Sequence, residues 1–107
     1  HTFTVEHGPL PCTALRIGDF AYVTDVKRIP PEAERFMENL ETLILDCTRI
    51  EPHRNHLNWD EALAVVEQFQ PKQTYFTHLC HDFDHDATEL KLPPSIRLAY
   101  DGLRLQI

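Results

Sequence analysis

The chain has 107 residues, enough for one small domain with a modest core. Apolar residues make up 42% of it, which excludes a disordered tail, and no apolar run is long enough to span a membrane. Ten Lys and Arg against seventeen Asp and Glu leave a formal charge of −7, which argues against nonspecific nucleic-acid binding. A bound cation would still invert that field locally and admit an anionic substrate.

The first residues already read as structure. Phe3 and Val5 alternate with polar neighbours, as in a half-buried strand. His7-Gly8-Pro9 breaks it, and Pro9 and Pro11 keep the following stretch extended. Cys12 to Ile17 is predicted as a second strand, Gly18-Asp19 as a tight turn, and Phe20 to Thr24 as a third strand ending at Asp25. A strand so close to His1, which is not an initiator Met, is the pattern of a chain that begins inside a larger domain.

Pro30-Pro31 opens a helix, with Ala33, Phe36, Met37 and Leu40 at helical spacing. Thr42 to Asp46 is a short continuous apolar strand, the kind buried on both faces. A polar loop follows, and Asn58 with Glu61 three residues later resembles a capping box. Leu63, Val66 and Phe69 form the apolar stripe of that helix. Thr74 to Thr77 is a strand that runs into the polar cluster His78 to Asp86. Ile96 to Ile107 reads as two strands around Asp101-Gly102. Strands alternating with helices predict an α/β fold with two helices packed on a mixed sheet.

Seven histidines suggest ligands, although any one taken singly reads as a surface residue. His7, Asp25 and His78 share a distinguishing feature: each closes a predicted strand, where sites of sheet–helix folds gather. The cluster with His78, Cys80, His81, His85 and aspartates 82, 84 and 86 has zinc-ligand chemistry, or is simply a solvated acidic loop. His53 and His56 lie in the loop before the capped helix. Cys12, Cys47 and Cys80 form no CxxC pair and read as reduced thiols of a cytoplasmic protein.

Several stretches together resemble the metallo-β-lactamase superfamily, in the branch of the carbon–phosphorus lyase pathway phosphodiesterase. They are Val5-Glu6-His7-Gly8, RIGDFAYVTD at 16–25, LILDCTR at 43–49, RNHLNWDEAL at 54–63, YFTHLCHDFDH at 75–85 and LPPSIRLAYDGL at 92–103. The resemblance implies that residues 1–107 are the C-terminal part of that αβ/βα sandwich. It implies that His7 completes one metal's ligands, Asp25 bridges two metals and His78 binds the second. It further implies two divalent ions, zinc or manganese, a small phosphodiester-type substrate, and His56 as the catalytic histidine beside the phosphate. The superfamily's HxHxDH motif is absent from these residues. The expectation is therefore a truncated chain, a proteolytic remnant or a degenerate gene product, inactive alone and associating with the remainder of the fold or with a copy of itself. The alternative is a non-catalytic binding or assembly module that keeps the half-fold.

Overall fold

The computed structural model describes residues 1–107. Six strands form one sheet in sequence order: β1 (Thr2–His7), β2 (Leu10–Ile17), β3 (Phe20–Val23), β4 (Thr42–Asp46), β5 (Gln73–Thr77) and β6 (Ile96–Leu98). β1–β2–β3 is an antiparallel meander, and β3 to β6 pair in parallel. Strands β1, β3, β4, β5 and β6 therefore all point one way, and their carboxyl ends share one edge. The parallel crossovers are a 3₁₀-helix (Pro31–Met37), helix α1 (Trp59–Phe69) and the short helix α2 (His85–Glu89).

Register explains which residues form the core. The rows Ala21–Leu43–Thr74–Ile96 and Val23–Leu45–Phe76–Leu98 run across one face, continued by Phe3, Val5 and Ala14, all buried. The 3₁₀-helix covers this face at β1, where Phe36 stacks on Phe3 with ring centroids 4.8 Å apart. Helix α1 covers its centre, with Trp59 set edge-on to Phe76 at 6.1 Å. Asn58 caps α1 as expected: its side chain accepts from the Glu61 amide, and the Glu61 carboxylate accepts from the Asn58 amide.

Four expectations change. The first strand ends at His7 as expected, but Gly8 with φ 59° turns it directly into β2, which begins at Leu10 instead of Cys12. The helix after Pro30 is a 3₁₀ segment of seven residues, a little over two turns, and the chain turns away at Asn39 (φ 55°). Helix α2 begins within the polar cluster, capped by Asp84, whose carboxylate accepts from the Ala87 amide. The second tail strand does not form. Leu103 donates to the Tyr100 carbonyl at 3.0 Å and Gly102 has φ 89°, so the chain turns, but residues 103–107 form no strand.

The opposite face of the sheet carries the row Thr2–Leu15–Tyr22–Ile44–Tyr75–Arg97, and neither helix covers it. Leu15, Tyr22 and the neighbouring Ile17 are 41%, 44% and 59% exposed. Covering this face is favourable by roughly 25 cal/mol per Å² of apolar surface. The 107-residue chain is therefore expected to associate as its concentration rises, and Leu15→Glu with Tyr22→Lys to prevent it. Sedimentation velocity checks this, and a wild-type monomer at every concentration would show that water alone suffices for this face.

Candidate metal centre

The common direction of five strands brings the chemistry together. His7 is the last residue of β1, Asp25 lies two residues beyond β3, Asp46 ends β4 and His78 follows β5. Four separated positions thus meet at one sheet edge. Asp25 and His78 hold left-handed backbone conformations, φ 55° and 63°. Such strain in a non-glycine residue costs on the order of 1–3 kcal/mol and persists only where surroundings enforce it.

The enforcing contacts are visible. Past Asp25, the Val26 amide donates to Asp46 Oδ2 at 3.2 Å and the Val26 carbonyl accepts from Leu57 at 2.8 Å. Lys27 pairs with Glu61 on α1 at 2.8 Å, and Arg28 pairs with Glu6 on β1. Past His78, the Cys80 amide donates to the Thr48 carbonyl at 2.9 Å. Gly8 lies against Asn55, whose Oδ1 would stand 2.0 Å from any Cβ added there. The positive φ favours glycine, and the absence of a side chain there leaves room for Asn55 of the loop before α1.

At the centre is His56, 9% exposed. Its ring centroid lies 4.6 Å from His7, 4.9 Å from His53 and 4.5 Å from His78. Donor atoms of His7, Asp25 and His56 lie within 4.8 Å of one another, as do those of Asp46, His56 and His78. His78 Nδ1 is 3.9 Å from Asp25 Oδ1 and 4.0 Å from Asp46 Oδ1. So His7, Asp25 and His78 converge, with His56 among them.

Asp46 is the residue that sequence reasoning passed over. It is wholly buried, and His56 Nδ1 lies 2.7 Å from its Oδ2. With Asp46 ionised, Nδ1 must carry the hydrogen, which leaves Nε2 as the free ring nitrogen. Asp46 Oδ1 is buried without any hydrogen-bond donor. An orphaned carboxylate oxygen amid imidazoles, with a second carboxylate nearby, is a donor set that fits a divalent cation. The signal was available: a carboxylate closing an apolar strand, the same signal that singled out Asp25.

Of the remaining sequence candidates, His53 stays beside His56 and the others lie apart. His53 accepts from the Asn55 amide through Nδ1, and desolvation, then the Arg49 charge and His56, lower its pKa. His81 points into water, its side chain 97% exposed, with its donor atom near those of Cys80 and Asp82. His85 sits on α2, its Nε2 3.3 Å from the Leu98 carbonyl. The histidines at 78, 81 and 85 therefore do not form a single zinc site. All three cysteines are unpaired, and Cys47 is wholly buried. Burial, then the charges of Asp46 and Cys80, push the Cys47 thiol up to about 12.

Comparison with known proteins bears on the family and the fold. The family model described as "Beta-lactamase superfamily domain" matches residues 2–79. The solved structure of a diphosphatase from the PhnP family is similar at 38% identity and a TM-score of 0.95, over 99% of this chain and 42% of that one. The metallo-beta-lactamase fold protein YhfI from Bacillus subtilis shares the fold, with a TM-score of 0.75 at 24% identity over 95% of this chain and 46% of that one. An octanoyltransferase of Porphyromonas gingivalis (strain ATCC BAA-308 / W83) is 30% identical over 101 residues, which is 92% of this chain and 20% of that protein. The chain thus spans less than half of either solved relative and a fifth of the octanoyltransferase.

Two predictions come from this geometry. Asp46→Ala strands two donors, the Val26 amide and His56 Nδ1–H, and each buried orphan costs about 1–3 kcal/mol. Urea unfolding should show the midpoint falling accordingly, and an unchanged midpoint would mean that Asp46 does not hold the loops. The second concerns Cys47. Its folded pKa is raised from 9.0 to about 12, so its contribution to stability is complete below pH 9 and is lost as pH rises toward 12. Stability measured across that range should decline less steeply in Cys47→Ala than in the wild type.

Proposed function

This chain belongs to the metallo-β-lactamase superfamily, and from that premise we propose that it supplies half of the reaction centre of a metal-dependent phosphodiesterase-type hydrolase. The observation that carries the reading is the buried Asp46–His56 pair set among His7, Asp25 and His78. His7, Asp25 and His78 would hold divalent cations, zinc or manganese. When bound, these ions supply Lewis-acid charge and water activation near neutral pH.

The chain's own residues do the rest. Asp46 fixes the ring orientation and tautomer of His56, a positioning role. The His56 ring, with its Nδ1–H bonded to Asp46, takes a second proton at Nε2 and gives it to the leaving oxygen as the P–O bond breaks. Water supplies the oxygen that joins phosphorus, and its proton restores the histidine. The similar PhnP-family protein is a diphosphatase. Its resemblance supports phosphoric esters and anhydrides as the substrate class. The unpaired thiols support a cytoplasmic setting. The uncovered sheet face around Tyr22 supports association with the remainder of the fold, or with a second copy, as a condition for activity. An assembly role without catalysis is the second reading, favoured by the same face.

The test is made in the complete enzyme. His56→Ala should lower kcat by about 10²–10⁴ on a diester with an alkoxide leaving group. It should cost much less with a nitrophenolate, which leaves without needing a proton. Metal content, measured on the same samples, should not change. Loss of metal would make His56 a ligand, and equal losses on both substrates would remove the acid role.

A further inference from the structure

One cavity adjoins the metal centre without belonging to it. It opens at the carboxyl ends of β5 and β6, has a volume of about 350 Å³, and is lined by Thr77, His78, Leu79, Ala99, Tyr100 and Asp101. His78 is the shared wall: one side of its surroundings is the ligand cluster, the other this cavity. A substrate held at the cluster would reach into the cavity with whatever it carries beyond its phosphate.

The walls restrict what that can be. Tyr100 is 57% exposed, a large aromatic surface left in water. It is nevertheless held. The turn that follows it is closed by the Leu103 amide on the Tyr100 carbonyl, and the His85 ring stands edge-on to its ring at 6.1 Å and 78°. A braced ring with exposed surface is a stacking platform for a planar group. Asp101, exposed at the same wall, only accepts hydrogen bonds when ionised. It repels phosphate and calls for hydroxyl or amine donors. Charge therefore sorts the two compartments: phosphate toward the cation-binding side of His78, an uncharged donor-bearing ring toward Tyr100.

We propose that this cavity seats the nucleoside-type portion of the substrate, with Tyr100 stacking on its planar ring and Asp101 accepting from its hydroxyl or amino groups. The proposal rests on the hydrolase reading for its purpose, but binding can be tested without it. Adenosine and ribose carry no charge, so the metal-free 107-residue chain can be titrated with each by saturation-transfer NMR. Adenosine should bind roughly tenfold more tightly than ribose, since stacking of one base is worth about that much. Tyr100→Ala should erase the preference, and Tyr100→Phe should keep it. Equal affinity for the two ligands, or a preference that survives Tyr100→Ala, would overturn the assignment. In the complete enzyme, Tyr100→Ala should lower kcat/KM for nucleotide diesters by more than it lowers that for a dialkyl phosphate. Equal losses on both would also overturn it. Adenosine binding that needs Tyr100, in a protein that hydrolyses no phosphoester, would sink the hydrolase reading and leave the nucleoside seat standing.

Discussion

The carboxylate of Asp46 sits fully buried at the end of β4 and accepts from the Val26 amide and from His56 Nδ1. Removing a carboxylate from water is expensive unless its oxygens are paired. Here one oxygen is paired twice and the other not at all. The paired oxygen fastens the loop after β3 to the loop before α1, because Val26 and His56 lie on those two segments. The Leu57 amide on the Val26 carbonyl adds a second fastening at the same place. Through these bonds Asp25 is held in its left-handed conformation and His56 is set between His7 and His78. The unpaired oxygen is what a cation would satisfy. The bonds that hold the two loops and the oxygen left open to a cation thus belong to the same side chain.

The direction of the strands is the second constraint. The single reversal at β2 leaves β1 parallel to the four strands beyond it. Every carboxyl end but that of β2 then opens on one edge, and the loops there are free to differ while the sheet stays regular. The two faces of the sheet have different fates. Leu43 and Leu45 look toward α1 and are covered, whereas Ile44, between them, looks the other way. Ile44 is still only 8% exposed, because Tyr22 and Tyr75 flank it and take the exposure themselves. The strand Thr42–Asp46 is apolar on both sides, but only one side is paired with a helix.

Much of this was legible in the residues. β4 follows from an unbroken apolar run, and the start of α1 from Asn58 and Glu61, because capping is a local interaction three residues long. His7, Asp25 and His78 stood out because strand ends are themselves local features. The errors also have local causes. Asp101-Gly102 is a strong turn signal and a turn forms there, but a hairpin needs a returning strand with a partner. The spacing of histidines 78, 81 and 85 resembles a ligand set, yet a left-handed residue and a helix start send the three rings in different directions.

From the sequence by itself came the α/β class, the strands and capped helix, and the residue types able to bind a cation, all set by short-range periodicity and chemistry. Only the tertiary structure decided which of those residues meet. His7, Asp25, Asp46, His56 and His78 are separated along the chain by many residues and joined only by strand direction and register. The pairing of His56 with Asp46, the braced exposure of Tyr100 and the uncovered face around Tyr22 are likewise properties of assembled strands. No local pattern carries them, because each depends on which element is folded against which.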